Sequence, residues 1–228
     1  MSRIAGLYVG GITVLEPEGQ STGIFKLAVH TPLQLTREGF SGDVQADRRA
    51  HGGPEKAVHH YAAENYAPLA AAFPAAASAL VPGSLGENIS SSGWNETGVC
   101  IGDIFRLGRA VVQVSQPRSP CWKINHKFGT LGMSRFIAEQ GITGWYYRVV
   151  EEGKVAPDDI FELLERPSPG VPLARLWHAS LAHRPSMDEL TQLIATAGLN
   201  PVWIEKLTER RDWLMENSSP PITGTDPQ

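Results

Sequence analysis

The chain of 228 residues has few cysteines and lacks several motifs that hold redox cofactors. Cys100 and Cys121 are its two cysteines, so it has neither a C-x-x-C pair nor the cysteine spacing of an iron–sulfur cluster. A G-x-G-x-x-G segment after a strand, a Walker loop and an H-E-x-x-H helix are missing as well. If the protein is a redox enzyme, its electrons must therefore come from another protein.

The sequence also lacks a charge excess and a long apolar run. Lys and Arg number 20 against 24 Asp and Glu, a formal net charge of −4, so no global positive field attracts nucleic acid or an anionic membrane. No apolar stretch approaches the ~20 residues of a membrane helix, and the N-terminus lacks a signal-peptide pattern. We expect a cytoplasmic protein that binds neither nucleic acid nor membrane and keeps both thiols reduced.

The sequence predicts a fold that is mainly β (α+β). Residues 1–166 are expected to form its β-rich domain. Runs of β-branched and aromatic residues alternate with glycine and proline turns, which is typical of short strands in hairpins. We expect "GWYYRVV" to pair with "APDDIFELLER" across a turn at Glu152. Segments 43–53 and 83–98 are rich in Gly, Asn, Ser and charge, so we predict loops there.

Residues 171–216 predict a C-terminal appendage of three helices. Ser186 and Glu189 have the spacing of a capping box, and Asn200 precedes a proline at the start of the last helix. The apolar face of this appendage either packs on the strand domain or holds a partner. The polar, proline-rich tail 217–228 predicts disorder.

The segment "SQPRSPCWKIN" surrounds Cys121 with cations. Arg118 and Lys123 favour a thiolate at this position, whereas Cys100 lies in an alternating strand and is expected to pack in the core. A fixed thiolate can act as a nucleophile, carry a persulfide or bind a soft or redox-active metal; simple packing remains the alternative. His126 could serve as the base of a Cys–His hydrolase, but the spacing identifies no third group.

The segment "GDVQADRRAHGGPEKAVHHY" carries basic side chains around two glycines. Such glycines let backbone N–H groups approach an anion while guanidinium groups bind it, so we predict a phosphate site; a solvated turn is the alternative. The candidate residues are Arg48, Arg49, His51, Gly52, Gly53 and Lys56. If "KAVHHY" is a strand, His59 and His60 point to opposite faces and cannot bind one metal ion.

The segment "GSLGENISSSG" supplies polar side chains from a glycine-bounded turn. Asn88 and Ser90 offer hydrogen bonds suited to a polar heterocycle or a phosphate, and a plain Ser-Asn-Gly loop is the alternative.

These segments, followed by "VCIGDIFRLG" and "VQVSQPRSPCWKIN", occur in the order found in MOSC domains, which the chain resembles. The resemblance extends through "GWYYRVVEEGKV" and the helical appendage. It implies a β-barrel-like fold that binds molybdenum cofactor (Mo-molybdopterin), with Cys121 as catalytic residue and metal ligand. The cofactor-binding residues in this interpretation are Arg48, Arg49, His51, Gly52, Gly53, Lys56, Asn88, Ser90, Arg118 and Lys123.

The same resemblance implies reduction of small N-hydroxylated compounds, such as hydroxylaminopurine, to amines. Some relatives carry a fused iron–sulfur domain, and this chain lacks the cysteines for one, so an external flavin or iron–sulfur reductase is the expected partner. A sulfurtransferase with a persulfide on Cys121 and a carrier of molybdenum cofactor are the alternatives. The oligomeric state stays open, a homodimer included.

Overall fold

The computed structural model describes residues 2–46 and 52–217 of the chain. Thirteen strands lie in these ranges. They are β1 (Ser2–Val9), β2 (Thr13–Leu15), β3 (Gln20–Thr22), β4 (Leu27–Ala28), β5 (Leu33–Thr36), β6 (Gly39–Phe40), β7 (Val58–Ala62), β8 (Ile89–Ser91), β9 (Ile104–Leu107), β10 (Ala110–Pro117), β11 (Trp145–Glu151), β12 (Gly153–Val155) and β13 (Ile160–Glu165).

The same ranges contain α-helices and short 3-10 helices. The α-helices are α1 (Tyr66–Ala72), α2 (Lys123–Lys127), α3 (Met133–Gln140), α4 (Leu173–Leu181), α5 (Met187–Ile194) and α6 (Pro201–Glu216). The 3-10 helices are Pro54–Lys56, Ala63–Asn65 and Pro74–Ala79. No helix within residues 2–46 and 52–217 is long and apolar enough to cross a membrane.

Seven strands close into a mixed β-barrel. Their order is β13–β9–β10–β11–β7–β8–β1, and β1 pairs again with β13 to close the ring. β7 and β8 run parallel, whereas the other neighbours in the ring run antiparallel. This architecture confirms the mainly β, barrel-like fold expected from the sequence.

Aromatic side chains fill the barrel interior. Phe105 and Phe161 stack with their ring centroids 4.3 Å apart, and the His60 ring lies 4.3 Å from that of Trp145. The Tyr147 hydroxyl is 3.0 Å from Nδ1 of His60. These rings come from strands that pair directly, β9 with β13 and β7 with β11, and they point into the core of the barrel.

The C-terminal helices pack on the barrel. Leu176 of α4, Leu190 of α5 and Trp203 of α6 belong to the same buried cluster as the barrel residues. Both predicted N-caps are confirmed: Ser186 accepts a hydrogen bond from the Glu189 N–H, and the Asn200 side chain accepts one from the Val202 N–H. The apolar face of the appendage is therefore covered by the strand domain. Of the predicted disordered tail 217–228, all residues after Asn217 lie outside the described ranges.

Two local predictions about the strands are wrong. β11 pairs with β10 and β7 instead of β13, and β13 pairs with β9 and β1. Barrel closure explains this result, because both edges of β11 are already occupied by neighbours in the ring. The segment 83–98 is not a loop throughout, since Ile89–Ser91 forms β8 between β1 and β7.

Replacement of Arg166 by alanine should destabilise the fold. Arg166 donates two hydrogen bonds, of 2.9 and 2.7 Å, to the Asp103 carboxylate, whose side chain is 0% exposed. Loss of the guanidinium leaves a buried charge without its counter-ion, so we expect the free energy of unfolding to fall by about 3 kcal/mol in urea denaturation. Arg135→Ala, which removes an exposed pair with Glu139, is the control and should leave the midpoint unchanged. Equal losses in both variants would contradict this account.

Acid should weaken the fold through His60. Burial lowers the pKa of His60 to about 3, while the unfolded chain binds a proton near its ordinary value of 6.5. The neutral ring therefore makes its full contribution to the free energy of unfolding above about pH 6.5. Below that pH the contribution falls by about 1.4 kcal/mol for each pH unit. We expect His60→Gln to show a shallower fall in urea unfolding free energy between about pH 6.5 and about pH 4.5. Parallel slopes for the two proteins would contradict the assignment.

Candidate functional site

A cleft beside β7 and β11 contains Cys121. Its cavity measures about 80 Å³, and the empty space out to and including its open mouth is about 630 Å³. Many polar side chains line it. They include Lys26, Asp43, Gln45, Lys56, His59, Asn88, Arg118, Cys121, Lys123 and Tyr146.

The end of a strand and the start of a helix hold Cys121 in this cleft. β10 ends at Pro117, which pairs with Trp145, and the next backbone N–H, that of Arg118, donates to the Gly144 carbonyl over 2.9 Å. The Cys121 carbonyl accepts a 3.1 Å bond from the Ile124 N–H as α2 begins. The thiol is half-buried on the cleft wall, so packing in the core does not account for it.

Cys100 packs in the interior as the sequence predicts, but the prediction that it lies in a strand is wrong. It forms an isolated bridge with Pro172, and β9 begins only at Ile104. Its side chain is buried, and its sulfur lies 3.6 Å from the Pro169 carbonyl. Burial raises the pKa of Cys100, and the charge of Asp103 adds to this shift. Both cysteines are free thiols.

The two histidines of β7 lie on opposite faces of the strand, as predicted from the alternation of side chains. His60 is inside the barrel, where its Nε2 is 2.9 Å from Oγ of Ser91. His59 lines the cleft and faces Tyr146 of β11, its direct partner across the two strands. The ring centroids of His59 and Tyr146 are 5.2 Å apart.

Arg118 brings a positive charge to the inner wall of the cleft. The residue is 6% exposed, and its Nη1 has no hydrogen-bond partner among the described residues. Burial raises the pKa of Tyr146, with the Arg118 charge acting against this shift and the Cys121 sulfur adding to it. Since a buried cation is costly without a counter-ion, the wall favours a ligand that carries negative charge or acceptor oxygens.

A buried ion pair, absent from the sequence predictions, also lines the cleft. Lys26 Nζ donates to both oxygens of Asp43, over 2.7 and 2.6 Å. Asp43 also accepts bonds from the Gly10 N–H, at 2.9 Å, and from Nδ2 of Asn88, at 2.8 Å. Burial lowers the pKa of Lys26, and the Asp43 charge opposes the shift. The pair neutralises itself, so its role in the described structure is to hold the segments that form the wall.

The structure brings five of the predicted site residues together and leaves others apart. Those that line the cleft are Lys56, Asn88, Arg118, Cys121 and Lys123. Asn88 is already committed to the fold, because its Oδ1 accepts the His59 N–H over 3.0 Å. Lys123 Nζ donates to the Ser21 carbonyl over 2.6 Å.

Ser90 is one of the predicted site residues that the structure places outside the cleft. Its side chain is 0% exposed, and its hydroxyl donates to the Tyr61 carbonyl over 3.1 Å. The prediction assumed a loop, whereas Ser90 lies in β8 with strands on both sides. We therefore do not assign it to ligand binding.

The predicted glycine loop lies only partly within the described residues. Gly53 has a φ of 86°, which favours glycine, and its N–H donates to Oε1 of Gln45 over 3.2 Å. Gly52 is buried beside it. Gly52 and Gly53 precede the helix that carries Lys56 to the cleft but do not line the cleft themselves. Three candidates for anion binding, Arg48, Arg49 and His51, lie outside the described ranges.

The described residues contain no group of three or more His, Cys, Asp or Glu that could hold a metal ion. His126, the candidate base of a Cys–His hydrolase, does not line the cleft, and its Nε2 contacts the Glu16 carbonyl at 2.8 Å.

Comparisons with known proteins cover nearly the whole chain. Residues 47–162 match the family model described as the MOSC domain. Protein YiiM of Escherichia coli K12 is 39% identical over 208 residues, 90% of this chain and 91% of YiiM. A protein named reductase, from Gibberella moniliformis, is 33% identical over 180 residues, 77% of this chain and 32% of that protein. The crystal structure of YiiM from Escherichia coli gives a TM-score of 0.77 at 33% identity and covers 93% of this chain and 94% of that chain.

Iodoacetamide should modify Cys121 before Cys100. Cys121 lines an open cleft, whereas Cys100 is 4% exposed and burial raises its pKa, so the second thiol is both shielded and poorly ionised. Peptide mass mapping at timed intervals should show a several-fold faster adduct at Cys121, and Cys121→Ser should retain the slow site alone. Equal rates at the two positions would contradict the assigned environments.

Proposed function

Because the chain belongs to the MOSC family, we propose that it binds molybdenum cofactor and reduces N-hydroxylated compounds, such as hydroxylaminopurine, to amines. MOSC domains are associated with this cofactor, and a relative that matches 77% of the chain is named a reductase. The observation that carries the proposal is the placement of Cys121. A free thiol, half-buried and fixed between a strand and a helix, faces a cleft that also contains several cations.

The residues of the cleft fit the chemical character of such a cofactor. Thiolate is a ligand that soft and redox-active metals prefer, and Cys121 is the cysteine on the cleft wall. Lys56, Arg118 and Lys123 supply positive charge for a phosphorylated pterin. The absence of a multi-residue metal site from the described ranges also suits a metal that arrives already chelated.

In this proposal, Cys121 would hold the metal, and Lys56 and Lys123 would orient the cofactor. When bound, the molybdenum centre would supply the electron pair for the reduction. The N–O bond of the substrate breaks, nitrogen retains its bond to carbon as the amine, and oxygen leaves as water after uptake of a pair of protons.

An external flavin or iron–sulfur reductase would restore the electron pair after each turnover. The two cysteines of the chain are far too few for an iron–sulfur cluster of its own.

Loss of the Cys121 thiol should abolish function and weaken cofactor retention. We expect protein purified from a host that makes molybdenum cofactor to contain equimolar molybdenum and pterin, measured by elemental analysis and pterin fluorescence. Cys121→Ser should lose most of the metal and all N-hydroxy reduction in a reconstituted electron-transfer assay. Cys100→Ser is the matched control and should retain both, because Cys100 lies outside the cleft.

Full activity in Cys121→Ser would overturn the ligand role. The sulfurtransferase alternative predicts a different result: intact mass after incubation with a sulfur donor would show one added sulfur at Cys121, and the protein would purify without molybdenum. A cofactor carrier would contain the pterin and reduce no N-hydroxylated compound with any donor.

A further inference from the structure

Two unsatisfied nitrogen atoms lie on the inner wall of the cleft. Nε2 of His59 and Nη1 of Arg118 are both buried and have no hydrogen-bond partner within residues 2–46 and 52–217. Both residues line the cleft and both are 6% exposed. The Tyr61 hydroxyl and Nε1 of Trp145 also have no partner among the described residues, but neither residue lines the cleft. A buried polar atom without a partner costs about 1–3 kcal/mol, and the two atoms at the cleft are those that a bound ligand can satisfy.

The two atoms have opposite hydrogen-bonding character. Nη1 of Arg118 can only donate, because guanidinium has no acceptor. The Gly86 backbone acts to raise the pKa of His59, which is the effect of a carbonyl beside the ring. Because Nε2 has no partner among the described residues, we assign the ring hydrogen to Nδ1. Burial, followed by the charge of Arg118, lowers the pKa of His59 well below its ordinary value. The ring is therefore neutral, and Nε2 carries a lone pair that accepts.

Strand geometry keeps this donor and acceptor close to each other. His59 faces Tyr146 directly across β7 and β11, and Arg118 follows β10, whose last residues pair with β11. Arg118 is held by its N–H bond to the Gly144 carbonyl. A side-chain carbon built on Gly144 would lie 3.0 Å from Nε2 of His59, so Gly144 adjoins both residues.

We propose that His59 and Arg118 recognise the hydroxyl of the N–OH group, a role that rests on the proposed N-hydroxy reduction. The hydroxyl oxygen accepts from Nη1 of Arg118, and its hydrogen is donated to Nε2 of His59. An amine product lacks the oxygen and cannot satisfy Arg118, and an O-alkyl ether lacks the hydrogen that His59 requires. The pair thereby selects for the functional group that is reduced, as buried polar groups do when an incorrect ligand leaves them unpaired.

Equilibrium binding tests this role without turnover. We would titrate the cofactor-loaded protein, by isothermal calorimetry and without a reductant, with 6-hydroxylaminopurine, its O-methyl ether and adenine. The wild-type protein should bind the hydroxyl compound about tenfold more tightly than either analogue, the value of one hydrogen bond to a buried polar group. In His59→Phe, the preference for the hydroxyl compound over its O-methyl ether should fall to about twofold or less. His59→Gln, whose amide oxygen still accepts a hydrogen bond, should restore part of that preference.

A matched histidine outside the cleft controls for nonspecific effects. His178 is exposed on α4, and His178→Phe should preserve the wild-type ratios. Equal affinity of the wild-type protein for all three ligands, no binding of any of them, or an unchanged preference in His59→Phe would each overturn the proposal. Preferential binding that depends on His59 in a protein that never reduces the hydroxyl compound would support this recognition and reject the proposed reaction.

Discussion

The alternation of side chains along β7 is the constraint on which the cleft depends. Val58 and Ala62 belong to the buried cluster inside the barrel, and the His60 ring packs against aromatic rings of that core. Tyr61 belongs to the second buried cluster, and His59 lines the cleft. A shift of one residue would exchange these two sets. Because β7 has a paired strand on each edge, its register is fixed. This register places His59 at the cleft and His60 in the core.

The charged residues that line the cleft are not all neutralised. Lys26 and Asp43 neutralise each other and hold their loops together, whereas Arg118 has an unsatisfied nitrogen on the inner wall. The net charge of the chain is −4, so the preference for an anionic or oxygen-rich ligand is a local property. A free thiol at this positive wall is the combination that a metal chelated by a phosphorylated organic ligand requires.

The sequence was sufficient to predict features that depend on residues only a few positions apart along the chain. The cations beside Cys121, the caps at Ser186 and Asn200 and the alternation of the histidines were all visible locally. The ion pair between Lys26 and Asp43 was missed because the two residues are 17 positions apart and no local pattern connects them. They meet only when the chain folds. The polar residues around β8 suggested a loop, but they lie in a strand that pairs on both sides and is therefore buried. This is why Ser90 was wrongly predicted to bind a ligand.

The most direct test of the account is X-ray absorption at the molybdenum edge of protein in which Cys121 is replaced by selenocysteine. If that side chain binds the metal, the spectrum will show selenium scattering at bonding distance from molybdenum, and selenocysteine at Cys100 will show none. A cofactor-loaded protein whose molybdenum has no selenium neighbour in either case would contradict the central claim that the Cys121 thiolate holds the metal in the cleft.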